Sequence, residues 1–100
     1  MELAVRVNGD TAHFQVSGTV DEKGAERLKI EFDGLSMDRL KSVIFDFSAV
    51  PFVGSAGLGK LLLFYKKLAS RGISMRVENT TSELHELMRE LRLDSLFLVT

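Results

Sequence analysis

The segment VGSAGLGKL, Val53 to Leu61, places Gly54, Gly59 and Lys60 at the first three fixed positions of the phosphate-binding pattern G-x-x-x-x-G-K-[S/T]. In a working loop of that type, backbone N–H groups cradle the phosphates and the lysine reaches the terminal ones. The final hydroxyl ligates magnesium. Here the hydroxyl position holds Leu61. A nucleotide hydrolase also needs an acidic strand end and a residue that positions water. The strand after the loop helix, ISMRVEN, ends near Glu78, which makes a poor match. Leucine has no oxygen, so nucleotide hydrolysis is not expected. Gly57 and Gly59 have a plainer use, letting a helix start pass close to its neighbours.

The other chemistry-bearing residues do not converge. Asp21 precedes a helical segment and has the side chain of an N-cap. Asp46 ends an apolar strand with no paired acid or nucleophile, which points to loop capping rather than general acid–base work. His13 and His85 lie far apart in sequence, and there is no cysteine, so no metal site is expected. Glu83, Glu86, Arg89 and Glu90 repeat at three- and four-residue spacing, as a solvated helix face does. No cofactor is implied.

The elements that must position these residues are short and periodic. LAVRV sets Leu3, Val5 and Val7 on one strand face. Asn8-Gly9 is a tight-turn pair, and TAHFQVSG alternates Ala12, Phe14 and Val16 with His13 and Gln15. A helix is predicted over roughly Glu22 to Asp33, with Ala25, Leu28 and Phe32 on one stripe; Gly34 disfavours its continuation. SVIFDF contains the continuous apolar run Val43-Ile44-Phe45, which suits a strand covered on both faces. After Ser55 a helix is predicted with Leu58, Leu61, Leu62, Tyr65 and Ala69 on its core face and Leu68 at the edge. Gly72 stops it. ISMRV is a strand. TTSELHELMREL is a helix with Thr80 and Glu83 spaced as a capping box and an apolar stripe of Leu84, Leu87, Met88 and Leu91. Leu96–Val99 is a last strand. The order β-β-α-β-α-β-α-β predicts an α/β fold, a mixed sheet opened by a hairpin, with helices packed on it.

Composition narrows the class. One hundred residues suit one domain, residues 1–100. Hydrophobic residues at 45% supply a core, and the formal net charge of -1 lacks the basic excess of nucleic-acid binders. No apolar run approaches ~20 residues, so no membrane insertion is expected. The N-terminus lacks the regions of a signal peptide. A soluble cytoplasmic domain is expected.

The run VIFDFSAVPFVGSAGLGKLLLFYKKLASRG resembles the STAS domain family, named for sulfate transporters and anti-sigma factor antagonists. Its mark is a buried strand, a short turn, then D-S-[S/T]-G-L at a helix start. VSGTVD resembles the family's hydrophobic-x-Gly-Glu-hydrophobic-Asp segment, with Thr19 where Glu is usual. The resemblance implies a protein-binding module rather than an enzyme. In the bacterial antagonists the partner is an anti-sigma factor that is also a serine kinase, and it switches the antagonist off by phosphorylating a serine at this helix start. A phosphate adds about two negative charges to a docking surface.

This chain departs from that pattern at the switch. Gly54 stands where the family has its acidic residue, and Ala56 stands at the acceptor position. Ser55 matches the residue before the acceptor. Its expected role is helix N-cap; phosphorylation of Ser55 is the alternative. Asp21 matches the family Asp beside the switch loop. The resemblance thus points to partner contacts at Asp21 and in the loop Pro51 to Gly57, at Phe52, Gly54, Ser55, Ala56 and Gly57, and the outer side of the following helix adds Lys60. Leu63 is a candidate on other grounds: it projects about 140° from the Leu58 direction, among Gly59, Lys60, Lys66 and Lys67, either as a singly exposed leucine, which is common, or as part of a partner site beside the switch loop. STAS-like domains also attach to the ATPases of lipid transporters, so a transporter ATPase is the alternative partner.

Overall fold

The first reversal of the chain is at Gly9. The computed structural model describes residues 1–100. Strand β1 (Glu2–Asn8) pairs antiparallel with β2 (Thr11–Ser17), and Asn8 faces Thr11 across the two-residue loop Gly9-Asp10. Gly9 has φ +59 and Asp10 a negative φ, which is the pattern of a type II′ turn. The positive φ therefore falls on Gly9 alone, and Asn8, expected to share the turn, is the last strand residue.

Then follow α1 (Glu22–Asp33), β3 (Ser42–Ala49), α2 (Ser55–Ala69), β4 (Ser74–Glu78), α3 (Ser82–Glu90), a 3-10 turn (Leu93–Ser95) and β5 (Leu98–Val99). The five strands lie in sequence order in one sheet, and β2 to β5 are parallel. The expected α/β order and opening hairpin are found. β5 is shorter than expected: Arg92 turns through left-handed φ +61 into the 3-10 turn, which occupies the residues just before it.

Each parallel step from β2 to β5 moves in the same direction across the sheet. Crossovers of one hand then deposit every helix on the same face. One core cluster joins Ala12, Phe14 and Val16 of β2, Val43, Phe45 and Phe47 of β3, and Met75 and Val77 of β4 to residues of all three helices. Phe64 of α2 stacks on Phe32 of α1 at 4.2 Å and on Phe45 at 5.8 Å.

The opposite sheet face carries no helix. Its residues form register rows, Ala4–Gln15–Asp46–Glu78 and Arg6–His13–Ile44–Arg76. The run Val43-Ile44-Phe45 was expected to be covered on both faces; only one is. Ile44 is 7% exposed yet stands outside the core cluster, between His13 and Arg76 in register. Long polar side chains shield it, not a second layer.

Candidate functional site at the start of helix α2

Beyond β2 and β3 the chain keeps pairing without forming a regular strand. A register shift after Gln15–Asp46 leaves Ser17 opposite Ala49. Gly18 N–H then donates to Ala49 O at 2.8 Å, Val20 N–H to Phe52 O at 3.0 Å, and Gly54 N–H to Val20 O at 2.9 Å. Val20 and Val53 form an isolated parallel bridge, and both are buried. This lacing fixes the residues that follow it, so α1 and α2 start side by side. Asp21 and Ser55 lie just past the two halves of the bridge.

Asp21 caps α1 as expected. Its carboxylate accepts the Gly24 N–H at 2.8 Å. That backbone hydrogen bond is the main cause holding its pKa below the ordinary carboxylate value, against an opposing effect of desolvation. The side chain itself is exposed.

Ser55 does not cap α2. The N-cap is Gly54, with extended φ -76 and ψ 175 and no side-chain hydrogen bond. Ser55 is the first helical residue, exposed, and its hydroxyl has no partner within the fold. The first turn of α2 therefore has neither a side-chain cap nor an acidic residue. Ala56 follows, half-buried against the core.

Gly57 explains why this helix start is glycine-rich. A Cβ there would lie 2.6 Å from Val53 Cγ1 and 2.9 Å from Val20 Cγ1, so the helix can seat on the bridge only with glycine at this position. Gly59 has no such reason: nothing lies within 4 Å of its would-be Cβ. The expectation that both glycines serve close approach holds for Gly57 alone.

The helix is also rotated from its expected phase. The buried residues are Gly57, Leu61, Phe64 and Leu68; Leu58, Leu62 and Tyr65 form a half-buried flank, and Ala69 is exposed. The Val20–Val53 seat and the Phe32–Phe64–Phe45 stack set that phase, and neither is local in sequence. Leu61 is 1% exposed. The position that would need a magnesium-ligating hydroxyl thus faces the core. Lys60 is half-buried and points to Glu26 of α1 at 4.0 Å.

Leu63 is half-buried but does not join the core. The ion pairs Lys60–Glu26 and Lys67–Asp33, the latter at 3.5 Å, tie α2 to α1 on either side of it. It sits on a shoulder of the α1–α2 pair rather than on a free outer face. Phe52 is 56% exposed. With Pro51 it borders a cleft of about 140 Å³ whose other wall is Glu83, Leu84 and Leu87 of α3. Sequence reasoning missed that wall, because α3 reaches the loop only through the fold.

The remaining candidates are structural. Asp46 accepts the Ser48 N–H at 2.9 Å and the Asn79 side-chain N–H at 3.4 Å. The Ser48 hydrogen bond is the main cause holding its pKa below the ordinary value. The expected capping box of α3 is displaced: Thr81, not Thr80, is the N-cap, and accepts the Leu84 N–H at 3.1 Å. Thr80 instead holds the carbonyl of Thr100 at 2.8 Å. No group of three or more metal-ligating side chains converges, and no helix is long and apolar enough to cross a membrane.

Comparison with known proteins agrees with this architecture. An anti-sigma factor antagonist from Mycobacterium paratuberculosis superposes with a TM-score of 0.84 at 26% identity, over 98% of this chain and 83% of that one. The Bacillus cell fate determinant SpoIIAA in its phosphorylated form gives 0.79 at 15% identity, over 99% and 91%. A sulfate transporter family protein from Wolinella succinogenes gives 0.78 at 19% identity, over 90% and 73%. The STAS domain family model matches residues 2–100, and the chain belongs to that family.

Proposed function

We propose that this chain is a protein-binding regulatory module of the anti-sigma factor antagonist type, without the usual serine switch. The observation that carries the reading is the start of α2. There, Phe52 and Ser55 are exposed and Ala56 is half-buried, and the loop that leads into the helix is laced to the Asp21 segment. The similarity to an antagonist at 26% identity supports a protein partner. The partner is an anti-sigma factor serine kinase. It docks on Asp21, Phe52, Gly54 to Gly57, Lys60 and Leu63. A methyl group at position 56 accepts no phosphate, so binding is constitutive. The module has no catalytic role of its own and works in the cytoplasm.

A second reading starts from the family match alone, since STAS-like domains also attach to transporters. In it the chain is the cytoplasmic STAS subunit of a lipid transport system and docks on the ATPase through the same face. Bait protein in native lysate, followed by mass spectrometry, separates the two. Wild type is expected to retain a serine kinase of the anti-sigma type, and Leu63→Glu to lose it with at least a tenfold fall in affinity, about 1.4 kcal/mol. Recovery of an ATPase and permease would replace the first reading with the second. Equal capture by Leu63→Glu would remove this face from both.

A further inference from the structure

We infer that strand β1 is a self-association edge, on which a second copy of this chain adds its own β1 antiparallel to form one continuous sheet. β1 is the outermost strand and hydrogen-bonds only to β2. All seven of its residues pair in unbroken register, with no bulge, and the strand contains no proline. Bulges and proline are two of the devices that normally blunt an edge; charge is a third, and here Glu2 and Arg6 carry opposite signs. The opposite edge, β5, has two residues and offers little.

The turn decides which backbone groups are free. A two-residue hairpin loop makes Asn8 and Thr11 a hydrogen-bonded pair, and such pairs alternate along the ladder. Arg6, Ala4 and Glu2 therefore spend their N–H and C=O groups on β2. Leu3, Val5 and Val7 direct theirs to the open edge. Their side chains form the apolar row, which β2 and the helices cover incompletely: Leu3 and Val5 are half-buried and Val7 is 53% exposed.

The sequence of β1 is complementary to itself in one register. With a two-fold axis through Ala4, Glu2 faces Arg6 of the second copy, and Leu3 faces Val5. Each charge meets its opposite on the open sheet face, and each apolar residue meets another on the helix face. A slip of one residue would put apolar against charged faces. A shift of the axis to Val5 or Leu3 removes Glu2 from opposite Arg6. Like charges opposite one another would repel; this edge carries one of each sign, placed evenly about Ala4. None of the residues assigned to the partner face lies on β1, so this inference stands apart from the function proposed above.

The test uses the whole chain, which has no cysteine. Ala4 is exposed, and the pair on the axis is a non-hydrogen-bonded one with Cα atoms about 4.5 Å apart, within disulfide range. Ala4→Cys is expected to form a disulfide dimer under mild oxidation, at least tenfold faster than Ala69→Cys on exposed α2. Sedimentation of the wild type should show a concentration-dependent dimer. Glu2→Arg or Arg6→Glu alone should weaken it at least fivefold, and the two together should restore it. A wild type that stays monomeric at all concentrations, a dimer indifferent to these reversals, or equal cross-linking of the two cysteine variants would overturn the inference.

Discussion

Ser55 and Ala56 differ by one atom of consequence, a hydroxyl oxygen, and the fold assigns that oxygen no task. Gly54 is the N-cap of α2 and Ser55 is already helical, so the cap that type and position suggested is not made. The real side-chain caps are Asp21 and Thr81. Carboxylates held by backbone N–H groups make stability depend on acid. Asp21 and Asp46 both have lowered pKa values in the fold, first through Gly24 and Ser48 respectively. Their contribution is complete above the ordinary carboxylate value, near 4, and is lost as pH falls through the lowered one. The melting temperature is therefore expected to be level between about pH 5 and 7 and to fall below about pH 4. Asp46→Asn should melt lower than wild type at pH 7, with a gap that closes as the carboxylate is protonated. A gap independent of pH would show that Asp46 acts through packing alone.

At the scale of elements, Gly57 and Gly59 separate packing from propensity within one helix. Gly59→Ala fills open space on a helix interior and should stabilise by about 1 kcal/mol, raising the melting temperature by roughly 4–8 °C in a domain of this size. Gly57→Ala gains the same propensity but drives a methyl into Val53 and Val20. Overpacking of that kind costs up to about 3 kcal/mol, so the melting temperature should fall. Thermal melts of the two variants should move in opposite directions; parallel shifts would mean that α2 does not seat on the Val20–Val53 bridge. Helix α1 was legible in the sequence, because its cap, its stripe and Gly34 are all local signals. The phase of α2 was not. The periodicity put Leu58, Leu62 and Tyr65 on the core face, yet Phe64 is the centre of a stack with Phe32 and Phe45, partners 32 and 19 residues away.

For the whole molecule, element order was enough to predict the class and the hairpin. The one-sided coverage of the sheet was not predicted, because it follows from strand order: four parallel strands laid down in one direction leave Ile44 and Asp46 on a bare face. The candidate site divides in the same way. The Asp21, Gly54 and Gly57 positions could be named from motif spacing, while the cleft between Phe52 and α3 needed the assembled fold. The central claim is that this face binds a kinase that cannot switch it off at position 56. The direct measurement is the intact mass of the protein after incubation with the captured kinase and ATP. Wild type is expected to gain no phosphate and to stay bound. Ala56→Ser is expected to gain one, mapped to position 56, and then to bind less tightly. A stoichiometric phosphate on wild type, mapped to the exposed Ser55, would contradict the account and show that the switch has moved by one residue.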